Sequence, residues 1–167
     1  MVSLRNTRDT VERERFGVNV RSERGASAVE FALISAVLFM VLFGTIQFGM
    51  AFHRAQGLEA AVREGARTAS IGATQQDITS RVRNAQSLFT AADVAVTFDY
   101  STNSGTSYTA IAASATNKPC QTAGLGNLVR VNATVAPAAK YAIAIPLWGN
   151  QTITYNAAGV FRCEKTQ

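Results

Sequence analysis

Apolar and polar residues change their period along the chain, and each change marks an element. From Phe31 to Phe52 the sequence FALISAVLFMVLFGTIQFGMAF holds 22 residues without a charged side chain and is apolar at every helical angle. That predicts one membrane-spanning helix, since such a run is about 33 Å long as a helix against about 30 Å of bilayer hydrocarbon. From Ala51 to about Ile71 the pattern stays helical but becomes amphipathic, with Glu59 and Arg63 at i,i+4 and no breaker after the span. Gly57, Ala61, Gly65, Ala69 and Ala73 recur every fourth position, a ridge of small residues that lets another backbone come close. Helix packing on Gly57, Ala61, Gly65 and Ala69 has two candidate partners, a neighbouring subunit or the chain's own C-terminal domain.

Ile71-Gly72 reads as a helix stop, and Thr74-Gln75-Gln76-Asp77 as the capping start of a second helix reaching about Phe89, with Ile78, Val82, Ala85 and Phe89 as its apolar face. The period then shortens to two. Val94, Val96, Phe98 and Tyr100 alternate with other residues, as do Val129 to Val135, Tyr141 to Leu147, and Ile153 with Tyr155, which predicts an antiparallel sheet of three to five strands behind the helices. Pro146-Leu147-Trp148-Gly149-Asn150 is a turn between two of them. The Ser/Thr/Asn/Gly/Ala-rich stretch from Ser101 to Gly126 reads as an irregular surface loop with one edge strand near Tyr108 to Ala112. The fold class is α+β: a long N-terminal transmembrane helix continuing into an amphipathic helix, a second short helix, then a small antiparallel β-sheet. The divisions are residues 1–25 as a cytoplasmic leader, 26–73 as the long helix with its span at 31–52, and 74–167 as an extracytoplasmic α+β domain.

Composition narrows the class further. In 167 residues, 47% are hydrophobic and only 16% charged, below the roughly 25% of soluble proteins, which excludes disorder and agrees with a membrane-buried portion. The net charge is +5. Residues 1–25 carry six arginines and four acids, while the remaining basic residues are scattered with little aromatic interleaving, so no nucleic-acid surface is expected. Arginines just before the span keep that flank in the cytoplasm by the positive-inside rule, although Arg54, Arg63 and Arg67 beyond it soften the asymmetry. The apolar core is too long for a secretory signal.

The segment Arg24-Gly25-Ala26-Ser27-Ala28-Val29-Glu30-Phe31 puts a glycine five residues before a glutamate at the lip of the span. A carboxylate there is costly and usually has a partner; alternatively Glu30 snorkels to the interface and Gly25 merely ends the leader. The residues resemble the processing site of type IV pilin-like precursors, in which a prepilin peptidase cuts after the glycine. That resemblance implies a processing site of Gly25, Ala26, Glu30 and Phe31, with Ala26 as the mature N-terminus and Glu30 as its fifth residue. The stretch from Arg24 to Arg67, RGASAVEFALISAVLFMVLFGTIQFGMAFHRAQGLEAAVREGAR, is similar to the TadE-like family of the tight-adherence (Tad/Flp) type IVb pilus machinery. The likeness lies in the Gly25-Ala26-Ser27-Ala28-Val29-Glu30-Phe31-Ala32 start and the Ala61-Val62-Arg63-Glu64-Gly65-Ala66-Arg67 end. The family often has proline near position 36, where this chain has Ser35-Ala36, so a kinked span is not implied. The major pilin of such systems has Glu-Tyr where this chain has Glu30-Phe31 and is far shorter, which argues for a minor or accessory subunit.

Cys120 and Cys163 are the only cysteines, and no His or further Cys sits at ligand spacing, the single His53 lying at the membrane edge. In an exported domain the pair reads as a disulfide rather than a metal site, with two reduced buried thiols as the alternative. The ending Ala157 to Glu164 also looks like that of many TadE-like proteins, which favours the bridge. No nucleophile elbow, phosphate loop or metal-ligand cluster is present in the sequence, so no enzyme and no cofactor are expected. Two Asn-x-Thr sequons, at Asn132 and Asn150, are short enough to arise by chance.

The resemblance implies a minor pseudopilin or assembly component of the pilus, anchored in the bacterial inner membrane with its N-terminus cytoplasmic and its C-terminal domain periplasmic. Its partners would be the prepilin peptidase, other pilins and pseudopilins, and the Tad inner-membrane platform with its ATPase. The rival class is a permanently anchored periplasmic binding or sensory module whose leader is never removed.

Overall fold

No proline precedes Pro119, and the first helix accordingly runs unbroken. The computed structural model describes residues 20–136, 141–145 and 149–165. Helix α1 spans Val20–Ser70, 51 residues, and so begins inside the segment expected to be only a leader, because nothing between Val20 and Arg24 breaks a helix. It stops where Gly72 takes φ +87 and its N–H donates to the Ala69 carbonyl (3.1 Å). A positive φ there is cheap only for glycine. The chain divides into two compact units, Met1–Met40 and Val41–Gln167. The first contains, among the described residues, the start of α1; the second contains the rest of α1 and everything after it.

Helix α2, Gln75–Ala85, opens on Thr74, whose Oγ1 accepts the Asp77 N–H (3.2 Å) and donates to Asp77 Oδ2 (2.7 Å). It ends four residues short of the expected Phe89. The buried Gln86 side chain replaces the next turn, accepting the Phe89 N–H (2.8 Å) and donating to the Phe89 carbonyl (2.9 Å). The apolar face is therefore Ile78 and Val82; Ala85 is exposed, and Phe89 packs against the core from outside the helix.

A 3-10 turn, Ala91–Asp93, leads into β1 (Val94–Ser101), followed by β2 (Thr109–Ala110), α3 (Pro119–Ala123), β3 (Leu128–Val135), β4 (Tyr141–Ile145), β5 (Gly149–Ile153) and β6 (Asn156–Arg162). One antiparallel sheet has the order β2-β1-β3-β6, and β4 and β5 form a separate two-stranded hairpin. The alternation at Tyr141 to Leu147 thus belongs to the hairpin and not to the main sheet. Residues 146–148 of the expected turn lie outside the described residues. In register, Phe98 faces Val131 and Val131 faces Gly159, so one face of three strands points at α1 and α2. The core comprises Leu58, Val62, Ala66 and Ala69 of α1, Ile78 and Val82 of α2, and Val94, Phe98, Val129, Val131, Ala133, Val135 and Ala157 of the sheet.

β6 shows no alternation of large apolar residues because its inward positions, Ala157 and Gly159, are small. A Cβ on Gly159 would lie 2.9 Å from the Val62 carbonyl oxygen and 3.1 Å from Ala66 Cβ. The expected surface loop is also a correction in part. It contains the two-residue edge strand β2, but Ile111, Pro119, Cys120 and Ala123 are buried. Its backbone is tied to the start of α2, where the Gln75 and Gln76 N–H groups donate to the carbonyls of Asn117 (2.8 Å) and Ala115 (3.2 Å). The Gln75 side chain, itself buried, donates to Ala112 O (3.0 Å) and accepts the Ser114 N–H (3.0 Å).

Two stability predictions follow from this packing. A Cβ on Gly65 would lie 2.3 Å from Val82 Cγ2. Overpacking of about 1–3 kcal/mol there outweighs the gain of up to ~1 kcal/mol from better helix propensity. Gly65→Ala and Gly159→Ala should each lower the thermal midpoint of the detergent-solubilised chain, whereas Gly49→Ala, with nothing within 4 Å, should not. Cys120 and Cys163 are bonded across 43 residues, a loop whose closure restricts the unfolded chain by about 4 kcal/mol. Denaturant titration should show a loss of that order with dithiothreitol or in the double serine variant.

Candidate processing site and membrane anchor

The helix carries Gly25 through Phe31 with every residue exposed, and nothing lies within 4 Å of where a Gly25 Cβ would be. At 100° per residue Gly25 and Glu30 stand about 140° apart, while Ala26 and Glu30 share one face at i,i+4. Among the described residues no ion pair involves Glu30. In the uncut chain Glu30 lies well inside α1, ten residues from its start at Val20. A chain beginning at Ala26 would instead put Glu30 one turn from the helix N-terminus, close enough for the helix dipole to favour a carboxylate by about 0.3 kcal/mol.

From Phe31 to Met50 the helix is uncharged and almost wholly exposed. An 18-residue window within Gly25–Ser70 has mean hydropathy 2.3 and none of it is buried; Phe31, Leu38, Val41 and Phe43 are all more than half exposed. Its hydroxyls are satisfied internally, Ser35 donating to the Ala32 carbonyl (3.0 Å) and Thr45 to that of Val41 (2.8 Å), as an apolar solvent requires. One helix is therefore long and apolar enough to cross a membrane once.

The small-residue ridge lies on the next stretch of α1. Ala61, Gly65 and Ala69 are buried and Gly57 is half-buried; a Cβ on Gly57 would meet Leu88 Cδ1 at 3.1 Å, and one on Gly65 would meet Val82. Within this chain the ridge is filled by the chain's own α2 and the segment after it. The opposite flank is charged and exposed, with Arg63 3.5 Å from Glu59 and Arg81 3.9 Å from Glu64, pairs that contribute little in water.

Cys120 and Cys163 form a disulfide with Cα atoms 5.5 Å apart, joining α3 to the residue after β6. It closes the end of the domain where the Glu164 N–H donates to the Ser70 carbonyl (3.1 Å). On the outward face of the sheet sits a cluster that sequence reading did not identify. Asp99 Oδ2 accepts from Arg130 Nε (2.9 Å) and Asn132 Nδ2 (2.8 Å), and the guanidinium lies 3.9 Å over the Tyr108 ring. Asp99 and Arg130 are direct cross-strand partners, a relation visible only once the register is known. The cluster clamps β2 and β3 to β1 and uses the Asn132 amide, so that sequon is occupied by structure. Asn150 of the other sequon is exposed on β5. Among the described residues no three His, Cys, Asp or Glu side chains group as a metal site.

No curated protein and no solved structure matches the chain. A family model does: residues 25–67 match the model described as TadE-like protein. That segment starts at the candidate cleavage residue, takes in the whole bare apolar helix and ends among the core positions of α1, so the chain carries a TadE-like segment and is similar over it to the TadE-like proteins of Tad pilus systems.

Proposed function

We propose that the protein is a minor pseudopilin or assembly component of a Tad/Flp type IVb pilus, held in the inner membrane by α1 and acting by protein–protein packing. The observation that carries this reading is the coincidence of the TadE-like segment, residues 25–67, with a helix that is uncharged and almost wholly exposed from Phe31 to Met50 and buried along one stripe only from Ala51 onward. A helix of that kind serves two surroundings, lipid before assembly and other pilin helices after it, and it asks for no catalytic group.

In the family's mechanism, prepilin peptidase would cut between Gly25 and Ala26, both exposed. Cleavage does two things to Glu30. It moves the carboxylate from the helix interior to within one turn of the N-terminus, and it creates an α-amino cation, with an ordinary pKa near 8, that can neutralise the carboxylate of a neighbouring subunit. Extraction by the ATPase-driven platform would follow. The N-terminus stays in the cytoplasm and the domain built on residues after the span is exported, an environment in which the Cys120–Cys163 bond persists.

N-terminal sequencing of membrane-fraction protein, from cells with and without their prepilin peptidase, tests the reading. It should find a chain beginning at Ala26 only where the peptidase is present; an intact Met1 leader in both strains would instead indicate a static anchor of a binding or sensory module. Glu30→Gln should still be cut but should lose chemical cross-links to pilin subunits that the unaltered chain makes.

A further inference from the structure

Ala51 lies within the uncharged run that ends at Phe52, yet it is 5% exposed, while Phe48 and Phe52 are 51% and 66% exposed. The reason is that the folded domain reaches down to this level of α1. Phe48, Phe52 and Ala55 form one wall of a groove of about 280 Å³, and Ile153, Thr154 and Tyr155, where β5 gives way to β6, form the other. No stalk separates the domain from the span. Arg54, the first permanent cation after the run, has its guanidinium 5.9 Å from the Phe89 ring centroid, a placement that keeps its charge at the domain's flank. The segment that builds the groove's far wall carries no charge from Tyr141 to Phe161, so bringing it to a lipid surface desolvates no ion.

We infer that the base of the exported domain rests in the outer interface of the bilayer that α1 crosses, and that this groove holds the acyl chain of a phospholipid. The occupant follows from continuity, because Phe48 and Phe52 belong both to the groove and to the exposed apolar run. By its length the uncharged run ends where acyl chains give way to headgroups, which places Phe48 and Phe52 at that boundary. The inference rests on the membrane-anchor reading of α1. It adds that the domain is seated on the lipid, which fixes its height and tilt before any pilus partner arrives.

Tryptophan depth measurements on the full chain in phosphatidylethanolamine and phosphatidylglycerol vesicles test it. Trp148 is the only tryptophan, so Trp148→Phe gives a silent background for single probes at Thr154→Trp, Leu42→Trp and Leu125→Trp. Thr154 and Leu125 are exposed, and Leu125 is next to Gly126, which bonds Cys163 at the far end of the domain. With brominated phosphatidylcholine added, Thr154→Trp should emit to the blue of Leu125→Trp and lose more emission to bromines high on the acyl chain than to bromines near its end. Leu42→Trp should show the reverse order, and Leu125→Trp should lose nothing.

If Leu42→Trp is quenched but Thr154→Trp is not, the inference is overturned while the anchor stands; red emission would then mean a domain held in water, and blue emission a groove filled by protein. An unquenched Leu42→Trp would reject the anchor and the inference together. Should Trp148→Phe disturb folding, a photoreactive benzophenone residue at position 154 of the otherwise unaltered chain gives the same answer. A lipid adduct by mass supports the inference, and a protein adduct alone overturns it.

Discussion

Helix α1 meets the sheet through backbone at Gly159 and meets α2 through a missing side chain at Gly65, and the rest of the domain is arranged around those two approaches. A methyl at Gly159 would press on the Val62 carbonyl oxygen, and one at Gly65 would displace Val82. With both absent, α1 lies close enough for Leu58, Val62, Ala66 and Ala69 to complete a core whose other side is Val129, Val131 and Ala133. Burying Leu58 and Val62 alone contributes about 3–6 kcal/mol, comparable with the whole stability of a domain this size. The fold therefore cannot spare the second half of α1.

That constraint makes α1 one element with two environments. From Phe31 to Phe48 it is uncharged and almost wholly exposed; from Ala51 one stripe is buried and the opposite flank carries Glu59, Arg63, Glu64 and Arg67. No hinge residue other than glycine interrupts the passage, and proline is absent from it. The disulfide reinforces the opposite end, tying the strand that touches α1 to the loop that caps α2.

The parts of this design that depend on side-chain period could be read in advance, and those that depend on register or close approach could not. The span, the stop at Gly72, the Thr74 cap and the alternations of β1 and β3 all follow from local chemistry. The end of α2 did not, because Gln86 uses its side chain to replace a turn, which no periodicity signals. The bounds of strand β6 carry no alternation signal, because closeness to α1 demands Ala157 and Gly159 where a strand would ordinarily show large apolar residues. The Asp99–Arg130–Tyr108 cluster needs the pairing of Asp99 with Arg130, and alternation does not reveal partners. Within the candidate site, Gly25 to Phe31 is singled out by its resemblance to pilin-like processing sites, while the Gly57 to Ala69 ridge left two partners open, of which the chain's own α2 is the one found within this chain.

The central claim, that residues 53–70 are core to the domain rather than a tether to it, is tested most directly by comparing two soluble fragments by amide NMR and hydrogen exchange. Residues 53–167 should give a dispersed spectrum with slow exchange at Val129, Val131 and Ala133, and residues 74–167 should give a collapsed spectrum without protected strands. A fragment 74–167 that shows the same dispersion and protection would contradict the account.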